Sequence, residues 1–289
     1  MNTPGLTNSF DFPDDSPAAA PLRRALRELG VATDDPQGRR LEMTEEAMAS
    51  AMGQNGWLTV EEAKLWTHKH LYYEKLGIPC FVIKDPADFI GLPWARFWLK
   101  PSCRHTWGKL NDRVLVDREV AVQLRLNPDD TWVAMADIPS DEQVWVMTLW
   151  DSRGGSRILW YSTLKRHSTR HPLADVLAYA VRDVGAKLGL KRWMAFMEFC
   201  TKGGSASFLD LNPRLPGDDD WPELVWQHLS GRSLGMDIAN LLCKDWLPPK
   251  IQSEAYVEEA EWDGSQVKEN QRVYDYSDGY KERPVLTFR

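Results

Sequence analysis

The chain has 289 residues, enough for one large domain or two small domains with a substantial core. Its formal net charge is −7 and it contains no long Lys/Arg block, which disfavours a nucleic-acid-coating protein. The four cysteines are widely spaced without a CxxC pair, the start lacks a signal-peptide pattern, and no apolar run could span a membrane, so we expect a cytoplasmic protein with reduced thiols.

The first half of the chain is predicted to be loose, then helical, then mixed. Residues 1–20 are rich in Pro, Asp, Asn and Ser, a composition typical of a loose segment. Helix-favouring patterns predict helices at 20–29, 45–52 and 60–76, the last ending at Gly77. The mixed region predicts strands at 78–83, 95–102 and 113–117, a short helix near 86–90, and a helix at 117–126.

The second half predicts a sheet that is followed by a helix and a hairpin. Strands are predicted at 132–138, 143–151 and 157–164, an amphipathic helix at 173–188, and hairpin strands at 193–200 and 207–212. A further helix is predicted at 221–242, before a polar, charged tail from Pro248 onward. This order of elements predicts an α+β fold.

The hairpin, MEFCTKGGSASFLDLNPR, carries the strongest chemical signal. If its turn is centred on Gly204, Glu198 and Asp210 face each other with Cβ atoms roughly 5 Å apart. Strand alternation places Asn212 and Arg214 on the same face as Asp210. Carboxylates among Met and Phe side chains repel each other and are costly to bury, so we expect a positive group between them.

A magnesium ion is one candidate for that positive group, because Mg²⁺ prefers carboxylate and amide oxygens. The alternative is a solvated hairpin whose acids pair loosely with Arg214 and Lys202. The two interpretations differ in their expectation for Asp210→Asn. A metal site predicts that the free protein keeps its stability, because repulsion is relieved, whereas a structural ion pair predicts a loss.

A second candidate residue is Lys100, in the segment GLPWARFWLKPS. It lies in an apolar predicted strand, just before the loop CRHTWGK. A lysine in this position either extends its ammonium group from a surface strand to water or is directed at an anion.

Taken in order, GIP, LKPS, IPSDE and MEF…DLNPR resemble the ATP-grasp superfamily, over about residues 60–245. The hairpin is similar to the metal-binding hairpin of the biotin carboxylase and carbamoyl-phosphate synthetase branches. The resemblance implies an α+β ATP-grasp fold, in which a lid subdomain and a larger antiparallel-sheet subdomain clamp ATP. The implied divisions are an N-terminal segment with helices, a lid subdomain, a catalytic subdomain with the hairpin, and a C-terminal tail: 1–59, 60–130, 131–247 and 248–289.

The resemblance also implies roles for the hairpin residues. Glu198, Asp210 and Asn212 would hold one or two Mg²⁺ ions on the ATP phosphates. Arg214, together with Asn212, would serve catalysis by stabilising charge on the acylphosphate or on the departing phosphate.

Further positions match the family's nucleotide contacts. Lys100 matches a lysine that contacts the α/β-phosphates, and backbone groups of Ala136 and Ile138 match the hinge that holds adenine. Glu142 matches an acid that binds the ribose hydroxyls. For the second phosphate-contacting lysine, Lys69 and Lys64 are both candidates.

The chain also departs from the family pattern. Asp210 stands where the family usually has Glu, and the lid loop, usually glycine-rich, has only Gly108. His105, with Arg104 and Lys109, could replace the missing backbone donors. Lys165 and Arg166 follow the third strand of the second half, where the family often contacts substrate or phosphate; a solvated strand end is the alternative. Nothing before residue 60 predicts the family's Rossmann-like substrate domain, so a full domain of that kind is expected to be missing.

The chemistry that this set of residues predicts is carboxylate activation by ATP and Mg²⁺. An ATP-dependent ligase would form an acylphosphate and join it to an amine or another nucleophile. The expected partners are a small-molecule carboxylate and nucleophile, or a peptide or protein acceptor, with a homodimer as a further option. Two other classes stay open, a non-catalytic nucleotide-binding regulatory or scaffold protein and an ATP-dependent phosphotransferase.

Overall fold

The computed structural model describes residues 9–12, 19–41, 57–103, 114–124, 126, 131–215, 220–252, 254–261, 266–273 and 284–289. The predicted helix at 45–52 and the lid-loop residue His105 lie outside this part of the chain. No helix in the described residues has the length and apolar character to cross a membrane.

The described strands are β1 (Phe10–Asp11), β2 (Arg39–Arg40), β3 (Cys80–Ile83), β4 (Arg96–Pro101), β5 (Val114–Asp117), β6 (Trp132–Ala136), β7 (Glu142–Trp150), β8 (Ser156–Thr163), β9 (Arg166–Ser168), β10 (Trp193–Lys202), β11 (Ser205–Asn212), β12 (Tyr256–Glu261), β13 (Gln271–Val273) and β14 (Pro284–Phe288). The described α-helices are α1 (Ala20–Glu28), α2 (Val60–Thr67), α3 (Lys69–Leu76), α4 (Arg118–Ala121), α5 (Ala174–Leu188), α6 (Trp221–Ser230) and α7 (Leu234–Lys244). A 3₁₀ helix spans Pro86–Gly91.

The two larger sheets are antiparallel, and the described helices precede their strands or lie between groups of them along the chain, which confirms the predicted α+β class. The large sheet has eight strands in the order β11-β10-β7-β8-β9-β12-β14-β13. The small sheet has four strands in the order β3-β6-β4-β5. The segment between β6 and β7 therefore connects the two sheets.

Strand membership differs from the sequence-based expectation in two places. β6, which begins the predicted catalytic subdomain, pairs with β3 and β4 of the small sheet. The polar region after Pro248, expected to be a tail, contributes β12, β13 and β14 to the large sheet. The sequence pattern did not predict these strands, because one face of an antiparallel sheet can remain in solvent and carry charged residues. The subdomain boundaries themselves remain predictions.

Three predicted helices are shorter than expected. The helix at 60–76 is two helices, because His68 between α2 and α3 adopts an extended backbone conformation. The helix at 221–242 is likewise interrupted after α6, where Gly231 has a φ of 70°. In the described residues of 117–126, the α-helix is the single turn of α4. Local propensity extends across each of these breaks, so the pattern alone could not locate them.

The described residues of the N-terminal part form more regular structure than their composition predicted. β1 and β2 pair in parallel with α1 between them, which makes a single short βαβ unit. Phe10, Phe12 and Leu26 are buried in the main hydrophobic core. The expectation of only helix and loose chain was therefore wrong for this segment, although a single unit is much smaller than a full Rossmann-like domain.

The main core also accommodates many of the 14 tryptophans. Trp66, Trp150, Trp160, Trp193 and Trp226 are all at most 2% exposed. At one point the packing leaves no room for a side chain, because a Cβ on Gly185 of α5 would lie 1.9 Å from the Trp150 ring.

We expect Gly185→Ala to destabilise the fold by about 2 kcal/mol or more, since overpacking outweighs the gain in helix propensity of about 1 kcal/mol. Trp150 resists displacement because its indole N–H donates to Thr148 Oγ1 at 2.9 Å. Urea unfolding should show a lower midpoint with an unchanged slope. The control is Trp150→Phe, which removes the crowded ring atoms. Gly185→Ala should cost less in that background than alone, and equal costs in both backgrounds would contradict the packing explanation.

Candidate active site

The hairpin geometry begins with a two-residue turn. Gly203 and Gly204 have φ values of 56° and 83°, the positive values that a tight type I′ hairpin turn requires. The turn centre therefore lies between the two glycines and not on Gly204. A register shift after Glu198 leaves Leu209 as an extra residue, so Glu198 pairs directly with Asp210, as predicted.

Asp210 is the centre of a cluster of polar contacts. Lys69 Nζ lies 3.3 Å from Asp210 Oδ1, and Lys100 Nζ lies 3.8 Å from Asp210 Oδ2. The Tyr72 hydroxyl and the Leu211 backbone N–H both donate to Asp210 Oδ1, the latter at 2.9 Å. These contacts bring together α3, β4 and β11, so the small sheet meets the large sheet at this carboxylate.

The charges of the cluster shift the pKa values of Asp210 and Tyr73. Burial raises the pKa of Asp210, but the positive charges of Lys69 and Lys100 and the hydrogen bonds outweigh burial and hold this pKa well below its usual value of 3.8. Burial, and then the charge of Asp210, raise the pKa of Tyr73 well above 10. Asp210 is therefore ionised and Tyr73 is neutral at physiological pH.

Tyr73 connects the cluster to Glu198. Its hydroxyl donates to the Leu209 carbonyl at 2.6 Å and accepts from Lys100 Nζ at 3.4 Å. The charge of Glu198 also contributes to the raised pKa of Tyr73. Glu198 is only 5% exposed, which excludes the interpretation of a solvated hairpin.

Lys100 itself is 2% exposed, so it does not extend its ammonium group to water. Of the two candidates for a second lysine, Lys69 belongs to the cluster whereas Lys64 is exposed. The positive groups beside Asp210 are therefore lysines of the chain itself. For the free protein, this arrangement favours the ion-pair expectation for Asp210→Asn over the expectation of relieved repulsion. A metal role for Asp210 then requires that a ligand first replaces Asp210 as the partner of the two lysines.

Asn212 and Arg214 follow Asp210 in the hairpin segment. Asn212 is half-buried, and Arg214 is 9% exposed. Arg214 Nη1 donates to the Leu215 carbonyl at 3.0 Å, while its Nε is buried and has no hydrogen-bond partner among the described residues. A buried guanidinium N–H of this kind is suited to an anionic ligand.

The hairpin supplies the kinds of donor atoms that Mg²⁺ prefers. Glu198 and Asp210 supply two directly opposed carboxylates and Asn212 an amide oxygen, which suits an ion whose remaining ligands are water and phosphate. In the part of the chain that the structure describes, no group of three or more His, Cys, Asp or Glu side chains could hold a metal by itself. The metal roles of these three residues stay predictions.

The predicted hinge lies at the connection between the sheets. Ala136 ends β6, and Ile138 packs against the main core. The connection is held at both ends, because Trp98 Nε1 donates to Asp137 Oδ1 at 2.8 Å and the Gly203 N–H donates to Asp141 Oδ2 at 3.1 Å.

Glu142 is not brought to the cluster. Trp145 of β7 is directly opposite Glu198, and Glu142 is three residues earlier, so alternation directs it to the other face of the large sheet. There its Oε2 lies 3.2 Å from His171 Nε2. Gln143, by contrast, lies two residues from Trp145 and therefore shares the face of Glu198.

The two tyrosines were also missed by the sequence interpretation. Tyr72 and Tyr73 follow Lys69 by three and four positions in α3, the spacing that places helical residues on one face. That spacing was a usable signal once Lys69 had been selected.

Comparison with protein-family models gives no match, and no curated protein matches the chain. Solved structures do match it. An L-amino acid ligase from Bacillus licheniformis is 12% identical with a TM-score of 0.70, over 99% of this chain and 94% of that one. N5-carboxyaminoimidazole ribonucleotide synthetase from Thermus thermophilus is 14% identical with a TM-score of 0.66, over 97% and 93%.

A third similar structure is the biotin carboxylase domain of the Hydrogenobacter thermophilus 2-oxoglutarate carboxylase, in complex with MgADP, ADP and bicarbonate. It is 11% identical with a TM-score of 0.65, over 98% of this chain and 86% of that one. These structures are ATP-grasp enzymes, and the chain has the ATP-grasp fold, as the motifs predicted.

Proposed function

We propose that the protein is an ATP-dependent ligase that uses Mg²⁺ to activate a carboxylate and joins it to an amine or another nucleophile. The observation that carries this proposal is the convergence of Lys69 and Lys100 on Asp210, directly opposite Glu198. Two ammonium groups beside two carboxylates can bind a nucleotide phosphate chain together with its divalent cation. The ligase and carboxylase activities named for the similar structures support the same class.

In the free protein, Asp210 neutralises the two lysines. When the phosphates of ATP bind, they replace Asp210 as the partner of Lys69 and Lys100, which leaves its carboxylate available together with Glu198 and Asn212. Magnesium held by these three residues would supply positive charge to the phosphate oxygens. Backbone groups of Ala136 and Ile138, at the connection between the sheets, would receive adenine.

The proposed reaction has two steps. A substrate carboxylate oxygen attacks the γ-phosphorus, the bond to ADP breaks, and an acylphosphate forms. The nucleophile, an amine for example, then attacks the acyl carbon, loses a proton and displaces phosphate. Arg214, whose buried Nε has no partner among the described residues, would stabilise the charge on the transferred phosphoryl group.

The substrates would be a small-molecule carboxylate and nucleophile, or a peptide or protein acceptor, in the cytoplasm. A non-catalytic nucleotide-binding protein is the second candidate, because Asp210 already has a full set of partners and is shorter than the usual Glu. A phosphotransferase would use the same site with a different acceptor.

Product analysis separates these functions. The purified chain is incubated with MgATP and mixtures of amino acids, other carboxylates and small amines. ADP together with free phosphate supports a ligase, and ADP with a phosphorylated product supports a phosphotransferase. ATP binding without turnover in any mixture supports a regulatory protein, and the absence of both binding and turnover would contradict the proposal.

Lys100→Met tests the nucleotide site directly. We expect the affinity for MgATP to fall by about 1.5–3 kcal/mol, roughly 10- to 150-fold, because a charge-assisted hydrogen bond to phosphate is lost. Isothermal titration calorimetry measures the effect. Lys75→Met, an exposed lysine on the same helix as Lys69, is the control and should bind normally. Equal affinities for both variants would remove Lys100 from the site.

A further inference from the structure

A second site is suggested by a cavity of about 520 Å³ that the proposed reaction does not use. Its volume lies within the range of small-molecule sites, roughly 300–1,000 Å³. Its wall contains two arginines, a histidine, two glutamates and a tyrosine: Arg166, Arg170, His171, Glu142, Glu254 and Tyr161.

The cavity lies on the opposite face of the large sheet from the Asp210 cluster. Tyr161 pairs with Val146, whereas the neighbouring Trp145 pairs with Glu198. Adjacent residues of a strand point to opposite faces, so Tyr161 and Glu198 are separated by the sheet. Arg166 pairs with Thr163, two residues after Tyr161, so it lies on the face of the cavity. Its predicted role as a substrate or phosphate contact stays a prediction.

One charged pair of the cavity is exposed. Arg170 Nη1 lies 3.1 Å from Glu254 Oε2, with both side chains about 60% exposed. A pair in solvent contributes little to stability, so a ligand can replace either of these partners at small cost. In the other pair, His171 Nε2 lies 3.2 Å from Glu142 Oε2; His171 is 8% exposed and Glu142 is 48% exposed, so the carboxylate is the partner that is open to solvent.

Two further groups are in place to contact a ligand. The Arg166 guanidinium lies 3.9 Å from the centroid of the Tyr256 ring. This cation–π contact orients the guanidinium group and does not occupy its N–H donors. Burial raises the pKa of Tyr161 to about 12, so its hydroxyl stays protonated and can donate.

We propose that this cavity binds a small zwitterion, an amino acid or dipeptide, with its carboxylate on Arg166 and Arg170 and its ammonium group on Glu142 and Glu254. The cavity carries two positive guanidinium groups and two carboxylates. A purely anionic ligand would be repelled by the carboxylates, and a purely cationic ligand by the guanidinium groups. A zwitterion matches both signs. The cavity is distinct from the proposed nucleotide site and does not depend on catalysis.

The test is calorimetric titration of the full chain, without nucleotide, with free amino acids and dipeptides. For the tightest binder, the N-acetyl form lacks the ammonium charge and the methyl ester lacks the carboxylate. We expect each blocked form to bind at least about tenfold more weakly, which corresponds to the loss of one charged contact. Arg166→Gln and Arg170→Gln should each weaken binding by at least about tenfold as well.

Two control variants change a positive charge outside the cavity, one at an exposed surface position and one in the Asp210 cluster. Arg153→Gln removes an exposed arginine outside the cavity and should bind normally. Lys100→Met should also bind normally, because Lys100 belongs to the Asp210 cluster on the other face. Thermal melts confirm that all variants are folded.

Three results would overturn the proposal. One is the absence of binding at up to about 10 mM, beyond the millimolar range of weak specific binding. Another is equal binding of the free and blocked forms. The last is binding that is lost in Lys100→Met but kept in both arginine variants. That result would place the ligand at the Asp210 cluster, as a substrate. The ligase proposal is tested separately, by ADP release, which each of these three results leaves undecided.

Discussion

Asp210→Asn is expected to lower the free energy of unfolding of the free protein by about 3–5 kcal/mol, the range for removing one partner of a buried ion pair. The substitution leaves Lys69 and Lys100 close together without their counter-ion, in a site where Asp210 is 14% exposed. Urea unfolding at pH 7 measures the effect. Asp117→Asn is the control, because Asp117 is 68% exposed beside Arg96, and we expect a change within about 0.5 kcal/mol.

The same variant has a predicted pH dependence. The folded-state pKa of Asp210 lies below its usual value of 3.8, so its contribution is complete above that pH and is lost as the pH falls below it. The stability difference between wild type and variant should therefore be constant from neutral pH down to about pH 5 and shrink below about pH 4. A variant as stable as wild type would instead support relieved repulsion between Glu198 and Asp210.

Arg214→Ala is expected to lower kcat by about 10²–10³-fold, the usual cost of losing a donor that stabilises transition-state charge. The KM for ATP should change little, because the proposed nucleotide contacts are Lys69, Lys100 and the hinge. Steady-state ADP release with the substrate pair found by product analysis measures both constants. Arg214→Lys, which keeps the charge but loses the planar N–H donors, should give an intermediate kcat.

This result can be separated from a structural effect. Arg214 is nine-tenths buried, so its removal also leaves a space and should cost some stability. The decisive comparison is between kcat and the melting temperature of the two variants. If Arg214→Ala were less stable but kept its kcat, the residue would have a structural role only.

Local chemistry was predictable from the sequence wherever it depends on neighbouring residues. The alternation of β10 and β11 and the glycine turn predicted the pairing of Glu198 with Asp210, but the predicted turn centre was misplaced and the pairing holds because a bulge at Leu209 offsets that error. The motif order from GIP to DLNPR was sufficient to predict the ATP-grasp fold.

Tertiary structure decided which charges meet. Lys69, Lys100 and Asp210 are far apart in the chain, and no spacing rule states that two lysines neutralise this carboxylate. It also decided the face of Glu142, because a shift of one residue moves a strand side chain to the other side of the sheet. The polar segment after Pro248 gave no apolar pattern, and it became β-structure only through pairing with β9 and within itself. Electrostatic contacts and strand pairing act through space, so they depend on the packed fold, whereas turns and strand alternation depend on adjacent residues and are therefore present in the sequence itself.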